Sequence, residues 1–114
     1  MPVSRPDAEQ IAAALALTPH VEGGYFRRTY QADGHPRMAT DAGRRYLMTS
    51  IHYLLTAAAP VGHFHRNRSD IVHYFHLGDP LRYYLLSNED GLITVDMGPD
   101  VLNGQCLQLT VPGG

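Results

Sequence analysis

The sequence predicts a mainly β fold, an antiparallel sandwich or barrel, preceded by one helix near the N-terminus. Three observations predict it. Only residues 7–17, DAEQIAAALAL, carry apolar residues at helical spacing. Beyond them come short runs rich in β-branched, aromatic and leucine residues, and turn-forming residues separate those runs.

In the helical stretch Ile11 and Leu15 stand four apart, alanines fill the remainder, Ser4 or Asp7 can cap the start, and Pro19 forbids continuation much past Leu17. The strands follow between about residues 25 and 111: 25–30, 46–55, 71–77, 81–87, 92–97 and 105–111. Asp33-Gly34, Ala57-Ala58-Ala59-Pro60-Val61-Gly62, Gly78-Asp79-Pro80, Asn88-Glu89-Asp90-Gly91, Gly98-Pro99 and Asn103-Gly104 punctuate them. Short strands at this spacing predict antiparallel pairing, not a parallel sheet with crossover helices. The run 46–55 has Met48 and Leu54 on one alternating face and Leu47, Ile51 and Leu55 on the other, so both faces should be covered. A second layer could come from the rest of the chain or from a second subunit, so a strand central to a sandwich and a homodimer both fit this pattern.

The 114 residues suit a single domain, 1–114, with one hydrophobic core. With 44% hydrophobic and 18% charged residues the chain reads as globular. A formal net charge of −2 leaves no sequence-wide basic footprint, so no nucleic-acid partner is expected. No apolar stretch reaches bilayer length and MPVSRPDAEQ has no signal-like apolar region, so no membrane partner and a cytoplasmic location are expected. Cys106 is the sole cysteine, which rules out an internal disulfide and suits a reducing compartment.

Chemistry concentrates in GHFHRNRSDIVHYFHLGDP, residues 62–80, with histidines at 63, 65, 73 and 76. His63 and His65 stand two apart at what reads as a strand end, so their imidazoles share a side and could share one ion or one substrate. His73 and His76 have opposite strand parity and should split, one inward and one outward. Glu22 before Gly23-Gly24 fits either a turn needing glycine freedom or a group at a pocket mouth. Arg27 and Arg28 alternate faces, so one of them could hold an anion. Tyr25, Tyr53, Tyr74, Tyr83 and Tyr84 are core residues or phenols available to a pocket.

Gly62-His63-Phe64-His65, a charged loop and a strand closing at Gly78 resemble the first cupin motif. The wider chain is similar to a cupin subfamily of unknown function described as predicted sugar epimerases. The residues that carry the likeness are PHVEGGYFRRTY (19–30), TSIHYLL (49–55), His65-Arg66 with Ser69-Asp70, Gly78-Asp79-Pro80-Leu81 and LTVPGG (109–114). The resemblance implies a cupin double-stranded β-helix, a jelly-roll barrel, commonly paired as a homodimer and holding a small-molecule pocket. In two places the chain departs from the metal-binding pattern. The glutamate after the histidine pair falls at Ile71 counting back from Gly78, or at Asp70 counting forward from His65. The pattern also runs on past P-x-G to a further histidine, so the expectation is either a truncated or naturally short version or a barrel completed by strands from another chain. No cofactor is therefore expected, and any divalent metal at His63 and His65 should be weakly held.

The resemblance then implies a metal-independent epimerase or isomerase of a carbohydrate-like substrate. In that reading His63 or His65 is the base, Asp70 the carboxylate that orients it, and Tyr25 or Tyr74 the acid. Glu22, Arg27 and His73 would bind the ligand. A non-catalytic binding cupin and a metal-dependent oxygenase or isomerase are the alternatives.

Overall fold

The computed structural model describes residues 5–40 and 43–113, mainly strands with one α-helix. The chain forms two compact units, one up to His65 and one from Arg66 onward.

In the first unit, helix α1 spans Ala8–Ala14. Asp7 caps it through a reciprocal pair: its carboxylate accepts the Gln10 N–H at 2.8 Å while the Gln10 side chain accepts the Asp7 N–H at 2.9 Å. The alternative cap Ser4 lies outside the described residues. The helix stops three residues short of Leu17 because Ala16 turns left-handed (φ 54°), and the Ala16 and Leu17 N–H groups fold back onto the Ala13 and Ala12 carbonyls.

Strands β1 (Thr18–Pro19), β2 (Tyr25–Gln31) and β5 (Thr49–Leu54) form one antiparallel sheet in the order β1-β2-β5. The β2–β5 register pairs Phe26 with Tyr53 and Arg27 with His52, then slips between Arg28 and Tyr30. A hairpin of β3 (Met38–Thr40) and β4 (Gly43–Arg45) lies between them in sequence. The sequence reading had no strand there, because Arg and Ala positions carry no apolar alternation. On β5 one face, Ser50, His52 and Leu54, is half-buried, while Thr49, Ile51 and Tyr53 are exposed. The expected burial of both faces is thus not met by this chain alone.

The second unit contains β6 (Ile71–Tyr74), β7 (Leu81–Ser87), β8 (Gly91–Met97) and β9 (Gln108–Val111). β6 pairs with β9 and β7 with β8, all antiparallel. Hairpin β7–β8 closes at the Ser87–Gly91 pair, with Gly91 at φ +67°. Its alternation puts Leu81, Tyr83 and Leu85 on the half-buried face. Met97 is fully buried, and Cys106 bridges to it. Across β7–β8 the Arg82 guanidinium grips Asp96 with two hydrogen bonds, 2.8 and 3.2 Å.

Candidate functional site

Residues 20–24 form a tight loop ahead of β2. The His20 N–H donates to the Gly24 carbonyl at 2.9 Å and the Gly23 N–H to the His20 carbonyl at 3.1 Å. Gly23 (φ +99°) and Gly24 (φ +74°) occupy backbone regions closed to most side chains, and a Cβ on Gly23 would lie 2.2 Å from the Val61 carbonyl oxygen. Gly23 therefore lets residues 61–63 run against this loop, where the His63 N–H donates to the Glu22 carbonyl at 2.7 Å. The Tyr53 hydroxyl donates to the Gly23 carbonyl.

This contact brings Glu22 to His65. The His65 Nδ1 lies 3.1 Å from Glu22 Oε2 and 2.8 Å from the His63 carbonyl oxygen. Neither neighbour carries a hydrogen, so Nδ1 bears the ring proton and Nε2 keeps its lone pair when the ring is neutral. Both side chains remain accessible, 42% exposed for His65 and 36% for Glu22. The arrangement can take a proton at Nε2 while the carboxylate stabilises the imidazolium that results, the division of labour of a histidine–carboxylate pair.

The other predicted residues lie as follows. Residues 61–70 are not a strand, so strand parity does not govern His63 and His65; both are exposed, and the contacts of this segment orient them instead. Asp70 Oδ1 accepts the Gly113 N–H at 2.8 Å, and the carboxylate beside His65 is that of Glu22. Tyr25 is half-buried on the face of β2 opposite Phe26. Arg27 is exposed opposite His52. Tyr74 belongs to the exposed face of β6, whereas Ile71 and His73 share its half-buried face. The Tyr83 hydroxyl lies 3.2 Å from His73 Nδ1, the rings meeting edge to face with centroids 5.0 Å apart. His76 is exposed.

Sequence reasoning missed His20, which lies inside a string it quoted, and named Tyr53 only as one of five tyrosines; the contacts across the chain single both out. Among the described residues no three histidine, cysteine or acidic side chains gather closely enough to hold a metal ion.

Partial desolvation of the phenol end of an otherwise exposed side chain, and after it the nearby Glu22 carboxylate, push the Tyr53 phenol above the ordinary tyrosine value. A raised folded-state value means the folded protein holds the proton longer than the unfolded chain. The stability this phenol contributes is full below about pH 10 and is lost as pH rises through the folded value. Tyr53→Phe is expected to flatten the alkaline fall in stability and to cost about 1 kcal/mol at neutral pH from the lost hydrogen bond. Urea denaturation at neutral and alkaline pH checks this, and an unchanged alkaline slope would contradict it.

Comparison with known proteins follows the same lines. The chain is 33% identical to the uncharacterized protein YML079W of Saccharomyces cerevisiae, an alignment covering 100% of this chain and 61% of the yeast protein. A hypothetical protein from Leishmania major superposes with TM-score 0.85 at 34% identity, covering 96% of this chain and 66% of the other. Protein SO0799 from Shewanella oneidensis does so with TM-score 0.82 at 37% identity and the same coverages. The chain thus spans a little under two thirds of the length of these relatives. A family model, Cupin superfamily (DUF985), matches residues 9–114, and with the mainly β fold this shows that the chain belongs to that uncharacterised cupin family.

Proposed function

We propose that this cupin binds a small carbohydrate-like molecule and acts as a metal-independent epimerase or isomerase, His65 removing a carbon-bound proton beside a carbonyl. The observation that carries the reading is the double acceptor contact at His65 Nδ1, which leaves Nε2 as the basic atom. Glu22 stabilises the imidazolium as the proton arrives. The His65 imidazolium returns the proton to the neighbouring carbon in an isomerisation, and an epimerisation takes a proton on the opposite face from a phenol, the role proposed for Tyr25 or Tyr74.

The test is incubation with nucleotide-linked keto-sugars in deuterated water, followed by mass spectrometry. Deuterium incorporation at the carbon beside the carbonyl supports the reading. Saturable ligand binding without exchange would identify a binding cupin, and exchange that a chelator abolishes would return the function to metal chemistry.

We also propose that the protein works as a homodimer in the cytoplasm. The apolar Leu47, Met48 and Ile51 are 54%, 60% and 43% exposed in one chain, apolar area that a second copy would cover in part. Cys106, a free thiol, suits a reducing compartment. Light scattering at micromolar concentration is expected to return twice the chain mass, and a monomer would overturn the dimer.

A further inference from the structure

We infer that His20 is a positioning residue for Glu22, and through it for the His65 imidazole; this rests on the proposed reading of Glu22 and His65 as the proton-handling pair. The His20 Nδ1 accepts the Glu22 backbone N–H at 3.0 Å. On its other side Glu22 offers its carbonyl to the His63 N–H at 2.7 Å. Both backbone polar groups of Glu22 are therefore held, one by an imidazole and one by the segment that carries His65. That fixes the direction in which the Glu22 side chain leaves the loop.

The His20 ring is itself braced. It meets Phe26 edge-on with centroids 4.8 Å apart and Tyr53 likewise at 5.5 Å, and its own N–H and carbonyl are tied to Gly24 and Gly23. An amide N–H can donate only to a nitrogen with a free lone pair, so His20 carries its ring proton on Nε2. His65 carries its proton on Nδ1. The two histidines of one site thus hold opposite tautomers, each dictated by its partner. A carboxylate on a flexible three-torsion side chain orients a base well only when its own anchor is rigid, and the His20 acceptor supplies that anchor.

The test reads the reactivity of the His65 Nε2 lone pair with diethyl pyrocarbonate, resolved by peptide mass spectrometry at about pH 8, where imidazoles are neutral. The exposed His35 serves as internal reference. Glu22→Gln is expected to slow His65 acylation about tenfold. His20→Phe keeps the aromatic packing but has no acceptor, and is expected to slow it equally. His20→Asn places an amide oxygen where Nδ1 stood and is expected to restore the wild-type rate, with His35 constant throughout.

If Glu22→Gln slows acylation and His20→Phe does not, the pair stands and the positioning role is overturned. A wild-type rate in Glu22→Gln overturns the pair itself. His20→Asn as slow as His20→Phe also overturns the positioning role, since the acceptor would not be what matters. Should His20→Phe fail to fold, His20→Asn against His20→Gln decides, because the Gln amide reaches the place of Nε2 and not of Nδ1. A slow Gln variant beside a fast Asn variant supports the inference, and equal rates overturn it.

Discussion

Replacing His65 with glutamine is expected to slow exchange of the substrate's carbon-bound proton by about 10²–10⁴-fold, the usual contribution of a general base. Glutamine puts its amide near the place of Nε2, so bulk and polarity survive while the ability to accept a proton does not. His65 is also largely accessible and buries no extensive apolar surface, so the fold should tolerate the change. His63→Gln is the informative companion: that segment's link to Glu22 is a backbone N–H, which the substitution leaves in place. Rates are read as deuterium uptake per unit time in the keto-sugar assay. Equal losses in the two variants would spread the base function over both histidines, and an unchanged rate in His65→Gln would remove it from this residue.

Gly23→Ala is expected to destabilise the chain by about 3 kcal/mol, the sum of a left-handed backbone penalty of roughly 1–2 kcal/mol and an overpacking cost of similar size. Gly23 sits at φ +99°, and an added Cβ would lie 2.2 Å from the Val61 carbonyl oxygen, a backbone atom that no side-chain rotation can move aside. Relief requires residues 61–63 to back away from the loop. That motion breaks the His63 N–H to Glu22 carbonyl bond and separates Glu22 from His65. Stability and His65 reactivity should therefore fall together, which urea denaturation and site-resolved acylation measure in one preparation. Wild-type stability would show that the close approach is unnecessary.

Much of the fold was legible because its causes are local. The capped start of α1 rests on Asp7 and Gln10, three residues apart. β7 and β8 were readable to within a residue, since seven-residue runs flank a turn with glycine where φ is positive. The helix end was not: Pro19 set an outer limit, but Ala16 turned left-handed before it, and alanine advertises no such turn. The β3–β4 hairpin escaped because Met38–Thr40 and Gly43–Arg45 carry no alternating apolar pattern for a periodicity reading to find.

The sequence by itself determined the family, the mainly β class with its N-terminal helix, and the set of side chains from which a site can be built. Tertiary structure alone decided which of them meet. Asp70 stood nearest His65 along the chain, yet its carboxylate went to the Gly113 N–H, 43 residues away. Glu22 reached His65 because Gly23 allows residues 61–63 to lie against its loop. Parity would have aimed His63 and His65 had they lain on a strand, but residues 61–70 are irregular and take their direction from long-range hydrogen bonds. Periodicity records what a residue does to its near neighbours, whereas a carboxylate beside an imidazole depends on a backbone approach between distant segments. That approach is a property of the folded chain.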